Sequence, residues 1–362
     1  MDSQSLADPV ELIYDRRVRG ALIVSVADGQ NAHIHGGCWL AVAGLRPARL
    51  MAAIPKEFRA AAMIEQLGRF TVAVASREDQ EWQGRFYHGD LAVVNDSGLF
   101  ARSPAGAPVP ARAVGYVDFR LIARADLGDF LLVVGEAVSG GLLNPGAQNL
   151  TVNEIVAEED PRGREETVLP FAAFPYHPQL LPPARRTPSP FDDRAFLDVV
   201  GRRHWGVYLA ATAAGGVTHL MISGWGIQAS HQPASLVLAA RAASPVVSLW
   251  REPGAEVLLS FLSAQDRPLV ADLAAAHAGQ VPLGAVPTDG GLYRSKQALA
   301  TFQGRASVLI EQGNLVIAKV VVERAEEGPA EDPNLCAEEV DAWLGRGGHL
   351  DPGLTYPAAG GH

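Results

Sequence analysis

The sequence predicts a mainly β protein, a β-barrel or sandwich with a few helices, written twice along one chain of 362 residues. Three observations predict it. Apolar runs rich in branched residues are short and end in turn residues, as Gly20–Gly29 ends in Asp28-Gly29, a pair that readily supplies the positive φ of a hairpin turn. Hairpins dominate, and the strand–helix–strand rhythm of a parallel sheet is missing. Finally, a single ungapped offset of 186 positions carries His33 onto His219, Trp39 onto Trp225, Ala43 onto Ala229 and Pro47 onto Pro233. The same offset aligns Gly20 with Gly206, Gly29 with Gly215, Leu50 with Leu236 and Gly68 with Gly254. About a fifth of the positions agree, and the Gly, His, Trp and Pro matches carry the most weight.

The first copy is expected over 16–155. Its elements are the strand Gly20–Gly29, strands at Cys38–Gly44 and Ala48–Ile54 split by a Leu-Arg-Pro turn, and a helix over Phe58–Gly68 with Gly68 as its C-cap. Arg69–Ser76 reads as a strand, Arg77–Phe86 as a charged cover, and 98–112, with its Gly, Pro and Ala, as loop. Val114–Ala123 and Phe130–Val138 read as an antiparallel pair turned at Gly128. Residues 156–195 form an acidic and then Pro-rich linker, a composition that spaces domains.

The second copy, 196–325, repeats the order. A short helix at Ala195–Arg202 leads to strands at Gly206–Thr212, Met221–Ser230 and Ser235–Arg241. A helix at Val246–Glu252 is broken by Gly254, and the strand Glu256–Ser263 follows. Gln265–His277 reads as an amphipathic helix with Leu269, Val270 and Leu273 on its apolar face and Asp266 and Asp272 as surface charge. Leu299–Gln312 and Asn314–Val322 close the copy. Residues 326–362 read as an acidic tail with a helix from Asn334 to Gly345, and beyond Gly347 no element is predicted.

Composition narrows the function. Hydrophobic residues make up 48% and charged residues 19%, a globular balance. A net charge of −10 argues against nucleic acid, whose phosphates call for a Lys/Arg surface. Two cysteines, Cys38 and Cys336, cannot make a disulfide framework, and with no signal peptide or spanning segment in view the expectation is a cytoplasmic protein with no membrane. Neither a Gly-rich dinucleotide fingerprint nor a phosphate-binding loop of the Walker type occurs.

The second copy's Gly206-Val-Tyr-Leu-Ala-Ala-Thr212, Gly turn and Met221-Ile-Ser-Gly-Trp225-Gly-Ile-Gln228-Ala-Ser230-His-Gln-Pro233 resemble the flavin reductase-like family of FMN-binding split barrels. Met, Trp, Gln, Ser and the first Pro of that family's motif fall in register. Gln265–Ala274 is similar to its helix, and Gly128-Asp129 with Val134–Val138 to its closing hairpin, although the hairpin His of the family is Phe130 in one copy and Leu315 in the other. The resemblance implies two tandem split barrels forming an intramolecular pseudo-dimer, FMN (or FAD) at their interface, and a flavin-dependent oxidoreductase with NAD(P)H as electron donor. By position it implies a flavin wall at Met221, Ile222, Ser223 and Trp225, continued by Ala229 and Ser230, with Arg241 and Ser244 facing the phosphate. In the first copy the equivalents are His35, Gly36 and Trp39, then Ala43 and Gly44, with Lys56 and Arg59 at the cationic end. The expected partner is a small-molecule ligand or substrate, and the expected state is a monomeric pseudo-dimer or a homo-oligomer.

Other readings stay open. His33 and His219 either touch a cofactor or bond backbone at a strand entrance. His33, His35 and Cys38 have donor chemistry suited to zinc, but on a strand the two imidazoles face away from the thiol, so no metal site is expected. The aromatic–basic clusters Arg85–His88 and Arg202–Trp205 are further candidates for lining a pocket. The alternative function is a degenerate barrel that holds haem or another planar ligand, or a non-catalytic scaffold.

Overall fold

In a computed structural model of the chain, the described residues are 22–37, 40–45, 48–79, 91–92, 98–144, 146–148, 150, 207–231, 233–275, 282–329, 335 and 355–357. The chain divides into two compact units, Met1–Arg186 and Thr187–His362. The expectations for Gly20, Cys38, Trp39, Pro47, Arg85–His88, Ala195–Arg202, Arg202–Trp205, the 156–195 linker and nearly all of the tail helix lie outside the described residues.

Unit 1 contains β1 (Leu22–Ala27), β2 (Ala32–Gly37), β3 (Leu40–Leu45), β4 (Ala48–Pro55), α1 (Arg59–Leu67), β5 (Arg69–Val74), β6 (Leu91–Ala92), β7 (Phe100–Arg102), β8 (Pro108–Pro110), β9 (Gly115–Asp126) and β10 (Phe130–Leu142). Eight of the strands form one sheet in the order β3-β4-β10-β9-β5-β1-β2-β6, and β7 and β8 form a separate hairpin. Unit 2 contains β11 (Tyr208–Ala214), β12 (Val217–Ser223), β13 (Gly226–His231), β14 (Ala234–Arg241), α2 (Pro245–Trp250), β15 (Glu256–Phe261), α3 (Arg267–Ala275), β16 (Ala285–Pro287), β17 (Tyr293–Ser295), β18 (Ala300–Gln312), β19 (Leu315–Glu327) and β20 (Thr355–Pro357). Its sheet runs β13-β14-β19-β18-β15-β11-β12-β20, with β16 and β17 as the separate hairpin. Each sheet is antiparallel throughout and curls into a half-barrel. The two orders are the same, position for position, up to the strand that closes the β2 or β12 edge.

Register carries the repeat further than strand order does. Leu22 pairs with Gly37 and Tyr208 with Ser223, so the first hairpins superpose under the offset read in the sequence. Leu40 pairs with Ala52 and Gly226 with Leu238, and a bulge falls at Val42/Gly44 and at Gln228/Ser230. Phe130 against Pro55 matches Leu315 against Arg241. A one-residue slip enters after the helix, where Leu22 faces Val74 but Tyr208 faces Phe261.

Local chemistry explains the shared punctuation. Asp28 makes the β1–β2 turn by accepting the Gln30 N–H at 2.9 Å and the Asn31 N–H at 2.6 Å, while Gly29 takes φ 95°. α1 buries Ala60, Ala61, Met63 and Ile64, a helical stripe, and ends at Gly68 (φ 65°), whose N–H donates to the Ile64 carbonyl. Gly254 breaks the chain after α2 in the same left-handed conformation, φ 75°.

Several expectations change. Met221–Ser230, read as one strand, is the end of β12 and most of β13, parted at Gly224-Trp225, because β12 pairs with β11 while β13 pairs with β14 near the other end of the sheet. Residues 98–112, read as loop, contain the β7–β8 hairpin. Asp266, read as surface charge, is buried: it closes a capping box with Ser263 at the start of α3. The tail after Gly347 is not featureless, since Thr355–Pro357 adds an edge strand to β12. Leu335 is buried, and it ties Val207 to Leu262 by accepting from one and donating to the other.

Candidate cofactor site

The two faces of β12 have different neighbours. Leu220 and Ile222 belong to an apolar cluster with Leu269, Val270 and Leu273 of α3 and with Leu292, which precedes β17. Strand alternation therefore sends His219, Met221 and Ser223 to the opposite face, the side of α2. Of the predicted wall, Met221, Ser223 and Trp225 share a setting and Ile222 does not. Met221 and Ser223 are fully buried, and Ser223 Oγ accepts the Trp225 N–H at 3.0 Å. The Trp225 indole N–H is buried without a partner among the described residues. Ala229 and Ser230 are also buried, with Ser230 Oγ donating to the Pro233 carbonyl at 2.9 Å.

In unit 1 the same face of β2 carries His33 and His35. The His35 ring meets Phe58 edge-on at 4.5 Å, so it sits beneath the start of α1. Burial pushes its imidazole down to about 3, and its Nδ1 has no partner among the described residues. His35 is thus a neutral, apolar-packed ring at neutral pH, where unit 2 has Met221. Gly36 lies on the other face, in register with Ile23.

The chain leaving β4 holds the predicted cations. The Lys56 N–H donates to the Asp129 carbonyl at 3.0 Å, which fixes the loop, and its ammonium pairs with Asp126. Arg59 is exposed on the first turn of α1 and adds to the field on Asp28. The Asp28 carboxyl is held at about 2, chiefly by its hydrogen bonds to Asn31. Phe58 is the N-cap of α1 and makes no side-chain cap bond, and the Ala61 N–H donates to its carbonyl at 3.0 Å. The corresponding chain in unit 2 reads Arg241-Ala-Ala-Ser244-Pro245, with Arg241 half-buried and Ser244 Oγ buried without a partner among the described residues. One charged loop has become a small, mostly uncharged one.

Two carboxylate networks were missed in the sequence. In unit 1, Asp118 is wholly buried and accepts from Thr71 Oγ1 at 2.5 Å, Ser139 Oγ at 2.6 Å and the Ala105 N–H at 3.3 Å, which pins the tip of the β7–β8 hairpin to the sheet. In unit 2 the pin is Asp266: Ser295 Oγ at the end of β17 donates to it, and the Ser295 N–H donates to Ser260 Oγ at 3.2 Å. Unit 1 also has the counterpart of Asp266, because Asp79 accepts from Ser76 N and Oγ at 3.1 Å each. Burial pushes both the Asp79 and the Asp266 carboxyl up. The Ser-x-x-Asp spacing after β5 and β15 was the available signal; nothing local marked Asp118.

Each unit is an antiparallel half-barrel with a helix over one face, the architecture of a split barrel. Residues 15–153, most of the first unit, match the family model described as flavin reductase like domain. The second unit is its tandem duplicate by strand order and register. Among solved structures, the chain is similar to an FMN-binding protein from Thermus thermophilus with bound p-hydroxybenzaldehyde (15% identity, 34% of this chain and 71% of that one, TM-score 0.32). It is also similar to nitrilotriacetate monooxygenase component B from Mycobacterium thermoresistibile (21% identity, 37% and 78%, TM-score 0.31). A third is the styrene monooxygenase flavin reductase from Pseudomonas putida S12 (18% identity, 36% and 82%, TM-score 0.31). No curated protein matches the chain. Among the described residues, no helix is long and apolar enough to cross a membrane.

Proposed function

We propose that the protein is an FMN-binding oxidoreductase of the flavin reductase-like type, with the flavin phosphate held by unit 1. The observation that carries this reading is the start of α1 within the matched domain. The N-terminus of the helix lies beside two exposed cationic side chains, Lys56 and Arg59, an electropositive end suited to an anionic phosphate. These residues fit the group. Their unit 2 counterparts, Ala242 and Pro245, do not. Bound flavin would supply hydride and electron transfer, and the chain's own contribution would be to hold the phosphate and keep water from an apolar wall. On the wall side, Met221 and Trp225 are buried apolar side chains, which suits a flat support. The pairing of two units around one flavin and NAD(P)H as reductant belong to this proposal and rest on the family resemblance.

The test is one absorbance spectrum of the purified protein, before and after incubation with FMN and gel filtration. Retained flavin absorbance, bleached by NADH or NADPH without oxygen, is the expected result. Protein that stays colourless would sink the flavin reading. A Soret band would replace it with the haem reading through His33 or His219.

A further inference from the structure

The two sheets differ in strand order at one place, the strand that closes the β2 or β12 edge. In unit 1, Leu91 and Ala92 of β6 pair with Ile34 and His33. In unit 2 the equivalent residues, Leu220 and His219, pair with Tyr356 and Pro357, and Met221 with Thr355. The slot is therefore the same to the residue, but the chain fills it from different directions. β6 lies between β5 and β9, so it is tied into the sheet on both sides. Among the described residues, β20 follows β19, the last of the other strands of its sheet, so it does not lie on a connection between two of them.

We propose that residues 355–357 are an exchangeable plug, and that the β12 edge is a binding edge for an extended peptide whose resident ligand is this segment. An uncovered edge presents a row of unpaired N–H and C=O groups and must be blocked or used. Thr355 and Tyr356 favour extended backbone, and Pro357, lacking an N–H, ends the ladder. The peptide that fits has a β-branched or aromatic pair followed by proline. When the plug leaves, it uncovers the strand that carries His219 and Met221. Leu335 stays hydrogen-bonded to Val207 and Leu262, so the unit's other seams are untouched. This inference does not depend on flavin binding.

The test uses the full chain carrying Thr355→Pro and Tyr356→Pro, followed by amide hydrogen exchange. Exchange over 217–223 should rise roughly tenfold or more while 32–37, the same strand in unit 1, stays unchanged. A synthetic peptide of residues 350–362 added to the variant should restore protection. Unchanged exchange over 217–223 would overturn the pairing. Exchange that rises in both strands together with a lower Tm would make β20 an integral strand, and failure of the peptide to restore protection would remove the exchangeable character.

Discussion

Phe70, Phe119 and Gly135 in unit 1 occupy the pairing positions of Val257, Gly304 and Val320 in unit 2, since Phe70 faces Phe119 as Val257 faces Gly304, and Leu50 meets Gly135 as Leu236 meets Val320. Two stacked rings with centroids 5.2 Å apart fill in one unit what two valines fill in the other. The same exchange recurs where Leu22 and Leu40 become Tyr208 and Gly226: a Cβ on Gly226 would sit 2.7 Å from the Tyr208 hydroxyl. The pairings of these residues agree once the one-residue slip after the helix is allowed for. Duplicated barrels thus keep their ladders and trade volume among facing positions, because close packing constrains the sum and not the individual residue.

The largest expected effect comes from forcing one unit's filling onto the other. Gly135→Val gives unit 1 the residue of unit 2, but a Cβ there meets Phe119 and Phe70 at 2.6 Å. Thermal unfolding should show a loss of about 3 kcal/mol or more, the upper range of overpacking. Adding Phe70→Val and Phe119→Gly should recover at least half of it. A Gly135→Val protein as stable as the parent would break the volume argument.

The hairpin pins come next. Asp118→Ala leaves Thr71, Ser139 and the Ala105 N–H without their acceptor, and about 2–3 kcal/mol should be lost. Exchange should quicken at 100–110 and not at 285–295. Asp266→Ala should show the reverse pattern, and a variant that loosened both hairpins alike would contradict separate pins.

Acid sensitivity should divide the units through His35. Its folded pKa lies below that of the unfolded chain, so the unfolded state takes up the proton first as pH falls. Stability is then unaffected above about 6.5 and declines between about 6.5 and about 3. The expected slope is up to about 1.4 kcal/mol per pH unit. His35→Met, which copies Met221, should flatten it in a urea titration across that window. The raised carboxyls of Asp79 and Asp266 act in the opposite sense, favouring the fold as they protonate, but each unit has one and they leave the comparison intact.

The smallest effect concerns the ligand. Lys56→Ala with Arg59→Ala should weaken FMN binding by roughly tenfold, the order expected for exposed charges on a phosphate. Riboflavin, without phosphate, should bind the variant and the parent equally in a fluorescence titration. Arg241→Ala should change FMN affinity less than the unit 1 pair does. Equal losses would mean that Lys56 and Arg59 have no special part in holding the phosphate.

The sequence by itself determined the β class, the doubling and its offset, and the turns at Gly29, Gly68, Gly215 and Gly254, because hydrophobic periodicity and positive φ are local requirements that each residue signals where it stands. It also singled out Lys56 and Arg59, whose charge needs no partner to be seen. Only the tertiary structure decided that Ile222 faces α3 while Met221 does not, that Asp118 and Asp266 are buried pins, and that a strand near residue 356 closes the second sheet where residue 91 closes the first. Those outcomes depend on which distant segment pairs with which edge. A three-residue strand or a lone Asp gains its meaning from the partner across the ladder, and no spacing along the chain encodes that partner.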